Sequence, residues 1–374
     1  MISIIGFCKT KLKKLSRKNI LIVSPENWNH IFVSKHHYAV HLAKRSNNVF
    51  FLNPPSHRLK STATDYTNLF QLDYQGFWPG LRYMPRFLQK INIRSVFNRL
   101  QKMVGGKFDI IWSFDNSVFF DFDALPDQVF KICHIVDLNQ NFQFVKAAKS
   151  ASICLTSSTH ILQKLKLSNP NSHFINHGLN IDYDDVQVKL PGTGKIKALY
   201  FGNLAMAYLD WEIIEQAVKS RPDVDFIFMG SNQENFDLTL NPMHQSKLKL
   251  LNVKNVYFLP KVPSRELLSY MNVADLLFVA YQQKFHRDQA NPHKMMEYLY
   301  SGKPIVASFT EEYQQFHDLI QMSVNNTDWP KTFSDTVDKI DQLSDEQMMD
   351  KRRQIALENT YDDQLNRIND LIYG

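Results

Sequence analysis

Short apolar runs of four to seven residues recur along this 374-residue chain, with helix-length amphipathic stretches between them. In the front half they lie at 19–24, 48–53, 109–114, 130–136, 152–156 and 173–176, with a helix expected at 36–44. In the back half they lie at 198–201, 225–229, 255–259 and 275–280. There a helix is expected at 211–219, with Ile213, Ile214, Ala217 and Val218 on one face, and another segment at 264–271. A strand that is apolar on both faces must be covered on both, which predicts parallel sheets sandwiched between helices. The length suffices for two such cores. Ligands of these sheets bind beyond the carboxyl ends of the strands, so the expected site is a cleft between two halves joined near 183–193.

Net charge is +6, but it is unevenly placed. Up to Asp185 there are 23 Lys and Arg against 12 Asp and Glu; the remainder holds 20 against 25. A basic front half suggests an anionic surface met by that half alone. Cys8, Cys133 and Cys154 are widely spaced, which predicts neither a disulfide framework nor a zinc site. No stretch has the roughly 18 apolar residues of a membrane span. The apolar residues 1–8 precede the basic run of Lys9, Lys11, Lys13, Lys14, Arg17 and Lys18, the reverse of a secretory signal. A cytoplasmic protein is expected.

The run at 291–308 reads Asn-Pro-His-Lys-Met-Met-Glu-Tyr-Leu-Tyr-Ser-Gly-Lys-Pro-Ile-Val-Ala-Ser. It predicts a helix opening with Pro292 in its first turn, stopped at Ser301-Gly302, and then a strand. Lys294 and Glu297, three residues apart, share a face. A helix N-terminus offers partial positive charge and free N–H groups to phosphate, and Lys294 adds a full charge. Glu297, one turn deeper, can accept two hydrogen bonds from a ribose diol.

This run resembles the nucleotide-sugar signature of GT-B glycosyltransferases, above all the family 4-like group that builds bacterial surface polysaccharides, whose pattern is Pro-x-Lys-x-x-Glu-Tyr-Leu-x-x-Gly-Lys-Pro-Val-Val. Asn176-His177-Gly178-Leu179-Asn180 is similar to the turn that closes the family's first domain. Val262-Pro263-Ser264-Arg265-Glu266-Leu267 is similar to the segment whose main chain touches the base, and Asn359-Thr360-Tyr361 to the returning tail. The resemblance implies an α/β fold of GT-B type, two Rossmann-like domains facing across a cleft. The expected divisions are 1–185 for the acceptor, 186–350 for the nucleotide sugar, and 351–374 as a helix returning to the first domain. Glu297 is then the ribose contact. Many members carry a second glutamate where this chain has Gln289, and cations in the loop that here reads Gly202-Asn203-Leu204-Ala205-Met206-Ala207-Tyr208.

Glycosyl transfer requires the leaving diphosphate neutralised, the nucleotide oriented and the acceptor hydroxyl deprotonated. Lys294 with Arg287 is the expected diphosphate clamp, with His293 nearby; Arg287 could equally be a solvated loop cation. Gly202, Asn203, Gly230, Ser231 and Val262 are expected to line the nucleotide pocket at strand ends. Asp137, directly after the run at 130–136, is the expected base, which fits an inverting mechanism; its alternative is a helix N-cap. Asp115 is a second candidate, and His134 reads as a core residue. Glu26, Asn27 and Trp28, after the first strand, are expected on the acceptor side. Asp121-Phe122-Asp123 matches a metal-binding triplet of a different glycosyltransferase fold, but GT-B enzymes usually need no metal, so no metal or cofactor is expected.

From Arg82 to Lys107 seven basic residues and no acidic ones interleave with Ile93, Val96, Phe97, Leu100, Met103 and Val104 at helical spacing. That pattern predicts an interfacial helix on anionic lipid, or else a surface helix whose stripe packs on the sheet. No nucleic-acid motif occurs. The expected activity is transfer from a nucleotide diphosphate sugar, UDP-linked, to a lipid-linked or glycan acceptor at the inner membrane face. The rivals are a sugar-nucleotide epimerase of the same fold and a silent nucleotide- or glycan-binding scaffold.

Overall fold

The computed structural model describes residues 15–30, 32–137, 144–231, 243–285 and 291–374. Its first half runs β1 (Asn19–Val23), α1 (Ser34–Lys44), β2 (Asn48–Leu52), β3 (Lys60–Ala63), β4 (Leu69–Asp73), α2 (Arg86–Val104) and β5 (Ile110–Ser113). It continues with β6 (Phe130–Ile135), α3 (Val145–Ser150), β7 (Ile153–Thr156), α4 (Thr159–Lys166) and β8 (Ser172–Phe174). These strands form one sheet in the order β3-β4-β2-β1-β5-β6-β7-β8, parallel except where β3 runs antiparallel to β4. Along β1 the side chains alternate between two cores. Leu21 and Val23 pack with Phe97 of α2; Ile20 and Ile22 pack with Tyr38 of α1.

The second half runs β9 (Ile196–Phe201), α5 (Trp211–Ser220), β10 (Val224–Met229), α6 (Met243–Leu250), β11 (Val256–Leu259), α7 (Leu267–Asn272) and β12 (Leu276–Val279). After these come α8 (Lys294–Ser301), β13 (Ile305–Ser308), β14 (Ile320–Ser323), α9 (Trp329–Asp338), α10 (Ile340–Leu343), α11 (Glu346–Leu357) and α12 (Tyr361–Tyr373). The order β11-β10-β9-β12-β13-β14 reverses direction at β9, and the first sheet reverses at β1. Those two switch points are where open parallel sheets leave a crevice for ligands.

The last two helices join the halves. Arg352 of α11 is fully buried and donates to the carbonyls of Gly302, Leu319 and Leu343 at 3.0, 2.9 and 2.8 Å. The chain then crosses at Asn359, whose carbonyl accepts from Leu179 N at 2.7 Å. Tyr361, Leu365 and Ile368 of α12 enter the core beside α1. A Cβ on Gly178 would stand 2.4 Å from the Tyr361 ring, so this turn admits only glycine without displacing the helix.

The structure departs from expectation in three places. The hairpin β3–β4 was not foreseen, because β3 is a polar, solvent-facing edge strand with no apolar run. The helix at the 291–308 run begins at Lys294, with His293 as its N-cap, so Pro292 precedes it rather than opening it. The stripe expected to meet lipid is instead largely buried: Ile93, Val96, Phe97 and Leu100 are at most 1% exposed. Covering the sheet removes that apolar area from water without any partner.

Candidate functional site

Helix α8 buries Met295, Met296, Tyr298 and Leu299 completely, which fixes its rotation. Gly302, at φ 78°, ends it in the left-handed conformation. Lys294 is left at the carboxyl edge of β9, with Glu297 one turn further along the same helix. They form no direct ion pair among the described residues; Lys294 Nζ lies 3.9 Å above the Tyr200 ring and 5.5 Å from that of Tyr281. Burial depresses the Lys294 ammonium to about 7, against the pull of Glu297. Burial raises the Glu297 carboxyl to about 7, opposed by its own backbone N–H and by Lys294. Glu297 Oε2 is buried with no hydrogen-bond partner among the described residues. Its charge is felt at Tyr183 and at Tyr361 of α12, which places it toward the first half. A buried lysine and glutamate whose pKa values are both shifted to about 7, with one carboxylate oxygen unbonded, make this the candidate ligand site.

Gly202 and Gly230 end β9 and β10 at φ 150° and 154°. Gly202 N donates to Met229 O at 2.9 Å, and Leu204 N to Ser231 O at 3.0 Å, so the two turns are stitched together. A Cβ on Gly202 would stand 2.7 Å from Lys294 Nζ, and one on Gly230 would stand 1.7 Å from Gly202 O. Gly230→Ala is accordingly expected to destabilise the protein by about 2–4 kcal/mol, read as a lowered urea midpoint. Asn203 closes its own turn, accepting from Ala205 N at 3.0 Å. Val262, half-buried, packs on the same core at the end of β11. The loop lacks a cation in sequence, yet Lys247 of α6 donates to Leu204 O at 3.0 Å.

His293 is turned away from this edge. Its Nδ1 lies 3.2 Å from Ser34 Oγ, its ring 3.7 Å from that of His177, and Ser34 Oγ also lies 3.2 Å from His177 Nδ1. Burial holds both histidines below the usual range. Asn291 completes this junction between the halves, donating to Ser157 O at 2.9 Å and Asn176 Oδ1 at 2.8 Å. Sequence reasoning missed Ser34, His177 and Asn291 as a set. Asn291 sits inside the signature run, but only the fold shows what it reaches.

Asp137 is exposed at the end of β6. Burial raises the Tyr281 hydroxyl, and Asp137 adds to that rise from the opposite sheet. Tyr281 also neighbours Lys294, whose Nζ lies 5.5 Å from its ring, so Asp137 and Lys294 both act on this one tyrosine. Asp115 accepts from Ser117 N at 2.7 Å and is a turn residue. His134 is buried in β6, accepts from Trp112 Nε1 at 3.3 Å and is pushed down to about 3 by burial.

On the acceptor side the expectations divide. Asn27 is exposed, and Glu26 pairs with Lys35. Trp28 is not available to a ligand: it is 6% exposed, packed among Phe32, His36 and Phe51 as part of the core beside α1. The triplet at Asp121 is likewise structural. Lys146 lies 3.0 Å from Asp121 and Arg86 2.7 Å from Asp123, so the two charges are met by cations of the same domain. Arg287 and Gln289 lie outside the described residues.

Two Rossmann-like sheets facing across a crevice, with a final helix returned to the first, define the GT-B fold. Particular proteins share it. Sucrose-phosphate synthase from Thermosynechococcus elongatus matches with a TM-score of 0.68 at 12% identity, over 95% of this chain and 98% of that one. Alr3699/HepE of Anabaena, solved in complex with UDP and glucose, matches at 0.64 and 12% identity, over 95% and 99%. In sequence, 149 residues are 26% identical to TuaH of Bacillus subtilis (strain 168), a protein assigned as a glycosyltransferase of teichuronic acid biosynthesis. That match covers 40% of this chain and 36% of the relative, about a third of its length. No family model matches the chain.

Proposed function

We propose that this chain is a glycosyltransferase that moves a sugar from a UDP-sugar to a glycan or lipid-linked acceptor in bacterial surface-polysaccharide assembly. The observation that carries the reading is the buried, unpartnered Glu297 oxygen beside Lys294, at the crevice where β9 changes the strand order. Glu297 would hold the ribose diol, while Lys294 and the start of α8 would meet the diphosphate. The UDP complex of Alr3699/HepE and the assignment of TuaH support the donor and the polysaccharide setting. Asp137 would take the acceptor proton as that oxygen bonds to the anomeric carbon. The bond from that carbon to the phosphate oxygen breaks in the same step, and the departing diphosphate carries the electron pair to Lys294. Calorimetric titration with UDP, GDP and ADP tests the donor. Binding of UDP is expected; no binding of any of the three at millimolar concentration would leave the silent scaffold as the better account.

Membrane association belongs to the same proposal, on a different face from the expected stripe. Tyr83, Phe87 and Ile91 stand at four-residue spacing, 95%, 63% and 55% exposed, with Arg86 and Lys90 between them. Beside them an apolar pocket of about 360 Å³ is lined by Phe77, Trp78, Val118 and Phe120. Basic residues and exposed rings together suit an anionic bilayer on the cytoplasmic side. Among the described residues no helix is long and apolar enough to cross a membrane. Phe87→Ser with Ile91→Ser is expected to cut binding to phosphatidylglycerol vesicles at least about tenfold, since each buried side chain contributes roughly 1.5–3 kcal/mol. Unchanged co-sedimentation would remove the membrane from the proposal.

A further inference from the structure

A second pocket opens beyond the carboxyl ends of β1, β2 and β4, with a volume of about 580 Å³, within the range of roughly 300–1,000 Å³ usual for small-molecule sites. Its lining is almost wholly polar. Asn27 and Asn29 enter from the connection after β1, Gln71 from β4, and Arg58 and Lys60 from the approach to β3. Neither the Arg58 guanidinium nor the Lys60 ammonium has a hydrogen bond or ion pair among the described residues. Asp73 is the one carboxylate of the described lining, and its Oδ1 accepts from Asn53 Nδ2 at 2.8 Å. It is Lys60's neighbour across the β3–β4 ladder, yet the two do not close on each other. The floor is firm, because Asn53 Oδ1 also accepts from Trp28 N at 2.8 Å and Trp28 is buried. The connection that carries Asn27 and Asn29 ends at Ser34, on the junction with His293.

Two cations without a partner among the described residues and several amides in one lining match an anionic carbohydrate. The amides can donate to and accept from ring hydroxyls, and the cations can meet one negative group with charge-assisted bonds. A neutral glycan would leave Arg58 and Lys60 without a role, and a lipid chain would find too little apolar wall. We propose that this pocket binds an acidic sugar unit of the acceptor, its anionic group held by Arg58 and Lys60 and its hydroxyls by Asn27, Asn29 and Gln71. The inference rests on the reading that the first half takes the acceptor.

The test is saturation-transfer NMR and calorimetry on the full chain with methyl β-D-glucuronide, glucose 6-phosphate and methyl β-D-glucoside, on wild type and on R58Q/K60Q. At least one acidic compound is expected to bind about tenfold or more tightly than the neutral glucoside, and to lose that advantage in the double variant. The better of the two acidic compounds identifies the anion as carboxylate or phosphate. Equal binding of all three, an advantage undiminished in the double variant, or no binding at tens of millimolar would each overturn the proposal. UDP is titrated on the same samples. Both substituted residues are exposed and distant in sequence from α8, so UDP affinity should not change in the variant. Failure of UDP to bind wild type would count against the donor reading and leave the sugar comparison to be judged alone.

Discussion

Glu297→Ala is expected to weaken UDP binding by about 10²- to 10⁴-fold. Two charge-assisted hydrogen bonds from a ribose diol, at roughly 1.5–3 kcal/mol each, disappear together, and about 1.4 kcal/mol corresponds to a factor of ten. The same change should leave thermal stability level or higher. In the free protein the carboxyl is buried with one oxygen unbonded, an arrangement that costs stability until a ligand arrives. A fall in melting temperature alongside the lost affinity would mean that Glu297 supports the fold rather than the ligand. The pH dependence follows from the two shifted groups. Glu297 is held up near 7, so it is increasingly protonated below neutrality, and affinity should fall as the pH drops from 7 toward 5. Lys294 is held down near 7, so its charge is lost above neutrality and affinity should fall again on the alkaline side. UDP affinity should therefore peak near pH 7 in wild type. Glu297→Gln should flatten the acid limb down to the part set by protonation of the UDP phosphate itself, about pH 6, and keep the alkaline limb.

Asp137→Asn should separate chemistry from binding. Positioned general bases contribute about 10²- to 10⁴-fold to rate, so turnover of a UDP-sugar should drop within that range. UDP affinity should stay within a factor of two or so, because the carboxylate follows β6 of the opposite sheet, and its influence on the donor side is exerted on Tyr281. Single-turnover kinetics with a fixed acceptor read the effect directly. A loss smaller than about threefold would remove Asp137 from the reaction and point to a base elsewhere on the first sheet. An equal loss of affinity and rate would instead show that Asp137 shapes the donor pocket.

The junction of Ser34, His177, Asn291 and His293 links the two halves through hydrogen bonds of its own. It ties the end that would carry the nucleotide to the connection leading from the acceptor side. His293 illustrates how a residue adjacent to the signature can serve geometry instead of ligand contact. One position separates it from Lys294, but a helix rotates about 100° per residue, which is enough to direct one side chain to β9 and the other to α1. The Asp121 triplet makes the same point with opposite consequence. A spacing that elsewhere holds a metal here meets Arg86 of α2 and Lys146 of α3, and links both helices to the connection between β5 and β6.

Much of the architecture is legible in the order of the amino acids. Continuous apolar strands such as Ile110–Ser113 can only be covered on both faces, and that alone demands parallel sheets between helices. The spacing of Lys294 and Glu297 places them on one face of one helix, and Gly202, Gly230 and Gly302 mark turns whose backbone other residues resist. These are local or short-range properties, decided by steric limits and periodicity within a few residues. The tertiary structure alone decided what each such face meets. It buried the stripe of α2 and left Tyr83, Phe87 and Ile91 in its place. It enclosed Trp28, added the polar hairpin that carries Lys60, and brought Ser34 to His293 across 259 positions of sequence. Periodicity states that a face is apolar or charged. Which surface covers it depends on contacts between distant segments, and those exist only once the whole chain has packed.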